Sequence, residues 1–165
     1  DSALEAFDKL GRDVVIKPLF GSQGFGITRI SDLEVARRIF NTLNYSRNVL
    51  YIQEFIHHGK HDIRCLIVGG RLVAAMNRRA RGWKTNVSQG AKPVSISPSE
   101  ELREIAIKST EILGCRVAGV DILESPDGYF VNEVNSQPGF RGIQMVSKVD
   151  VAEEIVEYIL SELKQ

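Results

Sequence analysis

The order of elements along this chain predicts an α+β fold built on antiparallel sheets. Three observations carry that expectation. Two pairs of strands are joined by tight-turn signals, Gly69-Gly70 and Ser125-Pro126-Asp127-Gly128, which make hairpins and not parallel crossovers. Helical periodicity recurs in four separate stretches between the strands. Capping signals mark where two of those helices begin.

Taken in order, Leu4, Phe7 and Leu10 mark a short amphipathic helix that Gly11 stops. Val14-Val15-Ile16 reads as a buried strand ending at Lys17-Pro18. The glycine-rich stretch Gly21-Ser22-Gln23-Gly24-Phe25-Gly26 follows, then a strand from Ile27 to Ile30. Ser31-Asp32-Leu33-Glu34 fits a capping box, in which Ser31 and Glu34 each satisfy a free N–H of the first turn. Leu33, Ala36, Phe40 and Leu43 give that helix its apolar face. Val49 to Phe55 is a strand, and Asp62 to Val68 with Arg71 to Arg79 make the first hairpin. Arg81 to Ala91 is a polar loop. Ser97-Pro98-Ser99-Glu100 is a second capping box with Pro98 at the first helical position. Its helix carries Leu102, Ile105, Ala106, Ile112 and Leu113 and stops at Gly114. Val117 to Leu123 and Tyr129 to Asn135 form the second hairpin. A last helix begins near Asp150, with Ile155, Ile159, Leu160 and Leu163 on one face.

A length of 165 residues suits one domain or two small lobes. Lys plus Arg and Asp plus Glu are both 21, so the formal charge is zero and a dedicated nucleic-acid binder is disfavoured. Cys65 and Cys115 stand far apart with no C-x-x-C spacing, which argues against a zinc ribbon or a redox pair. Both read as buried free thiols and suit a reducing, cytoplasmic setting. No apolar run approaches the roughly 18 residues of a membrane span, and no signal-peptide pattern opens the chain. The opening Asp1-Ser2-Ala3-Leu4 reads as a helix already under way, so more protein is expected before it.

The second hairpin carries the sharpest chemistry. Asp121 interrupts one apolar strand; Glu133 and Asn135 interrupt the next. Residues two apart on a strand share a face, so Glu133 and Asn135 point together. With the hairpin centred on Asp127, Asp121 falls opposite Glu133. Two such carboxylates repel unless a cation or a proton intervenes. Hard oxygen donors in this number suit Mg²⁺, which keeps one or two carboxylates and takes the rest from phosphates or water. The competing reading is a solvated hairpin face, and a one-residue slip would undo the geometry.

Lys17 ends a buried strand and enters the glycine-rich loop, whose backbone N–H groups could wrap an anion. The pattern is neither a Walker loop, since Ile27-Thr28 follows Gly26, nor a Rossmann fingerprint, since the loop opens a strand. Arg78, Arg79, Arg81 and Lys84 cluster near a strand end, with Arg64 on the preceding strand. Such a cluster suits an anionic partner, or else guards an edge strand. His57, His58 and His61 read as a surface loop.

Together these segments resemble the ATP-grasp superfamily, and within it the RimK-like glutamate ligases. The matching stretches are Val14 to Pro18 with the glycine loop; Ile52-Gln53-Glu54-Phe55-Ile56; Asp62-Ile63-Arg64-Cys65; Arg78-Arg79-Ala80; Thr85-Asn86; Ala118 to Ile122; and Asn132-Glu133-Val134-Asn135-Ser136 with Pro138-Gly139-Phe140. The resemblance implies an ATP-grasp fold, two lobes of antiparallel sheet with helices around a nucleotide cleft. The glycine-loop lobe would span residues 1–55 and the lobe with the metal site residues 56–165.

It also implies roles. Lys17 and the loop glycine Gly24 would meet nucleotide phosphate. Gln53, Glu54, Phe55 and Ile56 would form the hinge, with main-chain groups of Glu54 and Ile56 holding adenine. Asp62, Lys84, Thr85 and Asn86 would line the nucleotide site. Asp121, Glu133 and Asn135 would hold Mg²⁺, with Mn²⁺ as the alternative. Arg78 or Arg79 would neutralise the transferring phosphate or hold the substrate carboxylate.

The implied reaction is ATP-dependent formation of an amide through an acyl phosphate. L-glutamate is the expected amine, and the acceptor is a carboxylate on a protein C-terminus or a coenzyme. The stretch Val87-Ser88-Gln89-Gly90-Ala91 departs from the His-Arg-Gly-Gly of the ribosomal-protein-modifying members. That departure directs attention to coenzyme acceptors, as in the tetrahydromethanopterin and deazaflavin glutamate ligases. A nucleotide-binding module without chemistry and an amino-acid-carrier ligase of lysine or arginine biosynthesis remain the alternatives. No nucleic-acid or membrane partner is expected, and the full-length protein is expected to be a homo-oligomer.

Overall fold

The computed structural model describes residues 2–20 and 24–164. Gly21, Ser22 and Gln23 of the glycine-rich loop lie outside the described residues. The chain divides into two compact units, Asp1–Ile56 and His57–Gln165.

The first unit runs α1 (Ser2–Lys9), β1 (Val14–Lys17), β2 (Thr28–Ile30), α2 (Leu33–Tyr45) and β3 (Tyr51–Glu54). The strands form one antiparallel sheet in the order β2-β1-β3. Strand alternation decides what each side does. Val14 and Ile16 join Phe7, Ile30, Ala36 and Phe40 in the core under the two helices. Val15 and Lys17 therefore face the other way. Phe7 packs edge-on against Phe40 with ring centroids 6.3 Å apart, a favoured aromatic geometry.

The start of α2 differs from the capping-box expectation. Asp32, not Ser31, is the N-cap, and its carboxylate accepts from the Val35 N–H at 2.9 Å. A negative cap also gains from the helix dipole, which a serine does not. Glu34 then sits one position too early to close the box and pairs with Arg38 instead. Leu33 is correspondingly exposed, and Ala36 and Phe40 carry the buried face.

The second unit contains β4 (His61–Val68), β5 (Arg71–Arg79), β6 (Lys92–Ser95), α3 (Glu100–Ile112), β7 (Val117–Ser125), β8 (Gly128–Asn135), α4 (Arg141–Gln144) and α5 (Val151–Glu162). A single-turn 3₁₀ helix spans Val87–Gln89. The five strands form an antiparallel sheet in the order β6-β5-β4-β7-β8. One face packs against α3: Ile63, Cys65, Ile67, Ala75, Val120 and Ile122 meet Leu102 and Ala106. On the other face, Leu66, Val68 and Met76 pack with Ile143 and Val151. That same face continues along β4 to Arg64 and Asp62.

Both glycines of the β4–β5 turn are left-handed, with φ of 56° at Gly69 and 73° at Gly70, as a two-residue hairpin turn requires. Helix α3 begins later than expected: Ser99 is its N-cap, accepting from the Leu102 N–H at 3.2 Å, so Ser97 and Pro98 precede the helix. Either serine could cap by its chemistry; seating Leu102 and Ala106 on the sheet selects the second. On α5 the buried side is Val151, with Ile155 and Tyr158 packed beside it. Ile159, Leu160 and Leu163 are exposed, contrary to the expected apolar face. His58 is also not a surface residue: it is buried, with Nδ1 2.7 Å from the His61 carbonyl. β6, α4 and the 3₁₀ turn are too short to show a period in sequence, and β6 carries Pro93, which suits only an edge strand. No described helix is long and apolar enough to cross a membrane.

Candidate functional site

The β7–β8 hairpin turns through Pro126 and Asp127, with Ser125 paired to Gly128. Counted from that turn, Leu123 faces Phe130 and Ile122 faces Val131, so Asp121 would fall opposite Asn132. A bulge changes the count. The register shifts by one residue at Asn132, and Asp121 pairs with Glu133, Val120 with Val134 and Gly119 with Asn135. The expected juxtaposition of Asp121 and Glu133 is present, but the bulge produces it and not a turn centred on Asp127. The extra residue also restores Glu133 and Asn135 to the face of Asp121.

Asp121 is 6 % exposed, which removes the solvated-face reading for this residue. Its neighbours on β4 and β5 explain how the charge is tolerated. Arg64, directly across on β4, donates from Nη1 to Asp121 Oδ1 at 2.6 Å. Arg78 on β5 donates from Nη2 to Asp121 Oδ2 at 2.9 Å. Arg78 also grips its cross-strand partner Asp62 with Nε to Oδ1 at 2.7 Å and Nη2 to Oδ2 at 2.5 Å. All four side chains are buried, so two acids and two bases form a neutral network on three adjacent strands. Burial pulls the Arg78 pKa down, but the hydrogen bond that Arg78 donates to Asp62 and the charges of Asp121 and Asp62 outweigh it and leave it above its ordinary value.

The acids of the sequence reading are therefore balanced first by arginine. Among the described residues no three His, Cys, Asp or Glu side chains gather to hold a metal. The donor set is instead two carboxylates and an amide. Glu133 is exposed, facing Asp121. Asn135 Oδ1 is oriented by the Gln137 N–H at 2.9 Å. Each Asp121 oxygen accepts one of the two guanidinium bonds described and retains a lone pair beyond it. These hard oxygens fit a hard cation that brings further oxygen ligands of its own.

The remaining predicted residues divide by location. In the first unit, Lys17 Nζ donates to Gln53 Oε1 at 2.8 Å, on the sheet face away from the helices. Phe55 is buried and donates its N–H to the Asp13 carbonyl at 2.9 Å, between exposed Glu54 and half-buried Ile56. Gly24 is buried with a φ of 76°. In the second unit, Thr85 is buried, Asn86 caps the 3₁₀ turn, and the Lys84 ammonium lies 5.4 Å from the Trp83 ring centroid. Arg79 does not join Arg78. Alternation turns it to the opposite face, paired with His61 in the ladder and exposed. The sequence reading missed the role of Gly119, beneath Arg64, because a glycine in an apolar run carries no signal of what lies over it.

With this geometry in hand, the profile of the RimK-like ATP-grasp domain matches residues 2–159. The chain belongs to the RimK-like ATP-grasp family. Among RimK-like relatives, the tetrahydromethanopterin:alpha-L-glutamate ligase of Methanococcus maripaludis is 38% identical over 170 residues, covering 100% of this chain and 58% of that protein. A probable alpha-L-glutamate ligase of Syntrophotalea carbinolica is 41% identical over 152 residues, covering 90% of this chain and 50% of that protein. The chain thus spans half to three-fifths of the length of these relatives. The ATP-grasp fold is borne out by the structure of the ligase PsnB with a phosphomimetic precursor variant, Mg and ADP. It superposes with a TM-score of 0.75 at 19% identity over 98% of this chain and 50% of that one.

Proposed function

We propose that this chain carries the nucleotide and metal residues of an ATP-dependent carboxylate–amine ligase that uses L-glutamate as the amine. The observation that carries the reading is the placement of Asp121, Glu133, Asn135 and Arg78 on one sheet face in a RimK-like ATP-grasp chain. In the proposed reaction a carboxylate oxygen of the acceptor attacks the γ-phosphorus of ATP, and the bond to the bridging oxygen breaks to release ADP. The glutamate amine then attacks the acyl carbon, loses a proton and expels inorganic phosphate, leaving an amide.

The protein contributes position and charge. Arg78, held charged by Asp62 and Asp121, neutralises negative charge on the transferring phosphoryl group. Lys17, steadied by Gln53, holds nucleotide phosphate. Main-chain groups of Glu54 and Ile56 hold adenine, and Lys84, Thr85 and Asn86 add nucleotide contacts. Asp121, Glu133 and Asn135 hold Mg²⁺, which when bound neutralises the phosphate oxygens and orients the terminal phosphoryl group. Among acceptors, a coenzyme of the tetrahydromethanopterin type is the first to offer, because a relative at 38% identity is named for it. Two free thiols suit a cytoplasmic setting.

The test is calorimetric titration with Mg–ATP. Binding is expected in the unaltered protein and is expected to vanish in Asp121→Asn with Glu133→Gln. Equal binding in both, or none in either, overturns the reading. ADP release that glutamate fails to stimulate with every acceptor removes glutamate as the amine.

A further inference from the structure

Arg64 stands on the central strand β4, is 8 % exposed, and finds its counter-ion across the sheet in Asp121. Burying an arginine costs several kcal/mol, and a hydrophobic pair of similar volume would often be as stable. Stability alone is therefore a poor account of the pair. Its geometry offers a better one. Arg64 takes Oδ1 of Asp121 and Arg78 takes Oδ2, at 2.6 and 2.9 Å. One guanidinium on each oxygen fixes the plane of the carboxylate. Arg78 is shared, since Asp62 holds it with two bonds; Arg64 is committed to Asp121.

Gly119 makes this arrangement possible. It lies two residues before Asp121 on the same face of β7, across from Leu66 on β4 and Asn135 on β8. A Cβ there would fall 2.4 Å from the Arg64 Cζ and Nη2 and 2.6 Å from Nε. Gly119 is not among the left-handed glycines, so its backbone could accept another residue. What excludes a side chain is the guanidinium lying over it.

We infer that Arg64 is a positioning residue for Asp121, seated on Gly119, which sets the carboxylate plane for the cation that Asp121 holds. This rests on the metal reading proposed above. Partners that orient a metal ligand typically cost about 10- to 100-fold in affinity when removed. Arg64→Met and Gly119→Ala should each weaken Mg-dependent nucleotide binding by about tenfold or more. The double variant should be no weaker than the worse single one, because both act through one guanidinium. Arg64→Lys should recover part of the loss. Nucleotide binding with the metal chelated should not change across the series, which a general structural defect would not spare.

The experiment is titration of the unaltered protein and these four variants with ADP, in Mg²⁺ and in chelator, with NMR of the Arg64 Nε–H in the metal-free protein. Slow exchange of that proton in the unaltered protein, lost in Gly119→Ala, supports the seat. Rapid exchange in the unaltered protein, additive losses in the double variant, or wild-type Mg-dependent binding in Arg64→Met overturns the inference. A protected Arg64 proton in a protein that binds no Mg–ADP sinks the ligase reading instead, and with it the assignment of a cation to Asp121.

Discussion

Asp121 faces Glu133 across β7 and β8 because the register shifts by one residue at Asn132. Deleting Asn132 should therefore keep the pair. The two-residue turn would then bring Glu133 opposite Asp121 with no bulge, and Asn135 opposite Gly119. Deleting Val134 instead should carry Asn135 to the opposite face. Mg-dependent nucleotide binding, measured by calorimetry, is expected to survive the first deletion and fail in the second.

Arg78 joins Asp62 to Asp121, with all three buried. Arg78→Met leaves both carboxylates short of a partner in a poorly hydrated place, a loss that ordinarily costs about 3–5 kcal/mol. Chemical unfolding should show a drop of that order. Arg79→Met, on the opposite and exposed side, should change stability by less than about 0.5 kcal/mol.

Burial, and then the charge of Asp121, push the Cys65 thiol up from 9.0 to about 12. The folded protein thus holds the thiol proton through a range where the unfolded chain releases it. Stability is fully present below about pH 9 and is lost as pH rises towards 12. Urea midpoints measured across that range should fall, and Cys65→Ala should flatten the fall. Alkylation of the native protein at mildly alkaline pH should label Cys115, which is half-exposed, and spare Cys65.

Gly69 and Gly70 are both left-handed, but their surroundings differ. A Cβ on Gly69 would lie 2.6 Å from the Tyr158 ring, whereas one on Gly70 meets nothing within 4 Å. Gly70→Ala should cost about 1 kcal/mol from backbone strain. Gly69→Ala should add about 1–3 kcal/mol of overpacking. Thermal unfolding of the two variants compares them directly; equal losses would show that α5 yields freely.

The sequence by itself determined the local order. Alternating apolar runs bounded by glycine, proline and aspartate specify strands and turns through contacts between neighbours in the chain. Hence β4, β5, β7 and β8 and the turns joining them were legible. So was the pairing of Glu133 with Asn135 on one face, because strand alternation needs no tertiary information. Only the tertiary structure decided the rest. Ser99 was chosen over Ser97, where chemically equal caps competed and the seating of α3 on the sheet selected between them. Alternation puts Arg78 and Arg79 on opposite faces of β5, but the register of β5 against β4 decided that Arg78 is the one set beside Asp62 and Asp121. Most telling is the hairpin itself. Symmetry about its turn named the right partner for Asp121, but a two-residue turn and a one-residue bulge at Asn132 made the contact. Register depends on the sum of turn length and bulges along both strands, and a bulge stabilised by the surrounding sheet leaves no mark in the residues that form it.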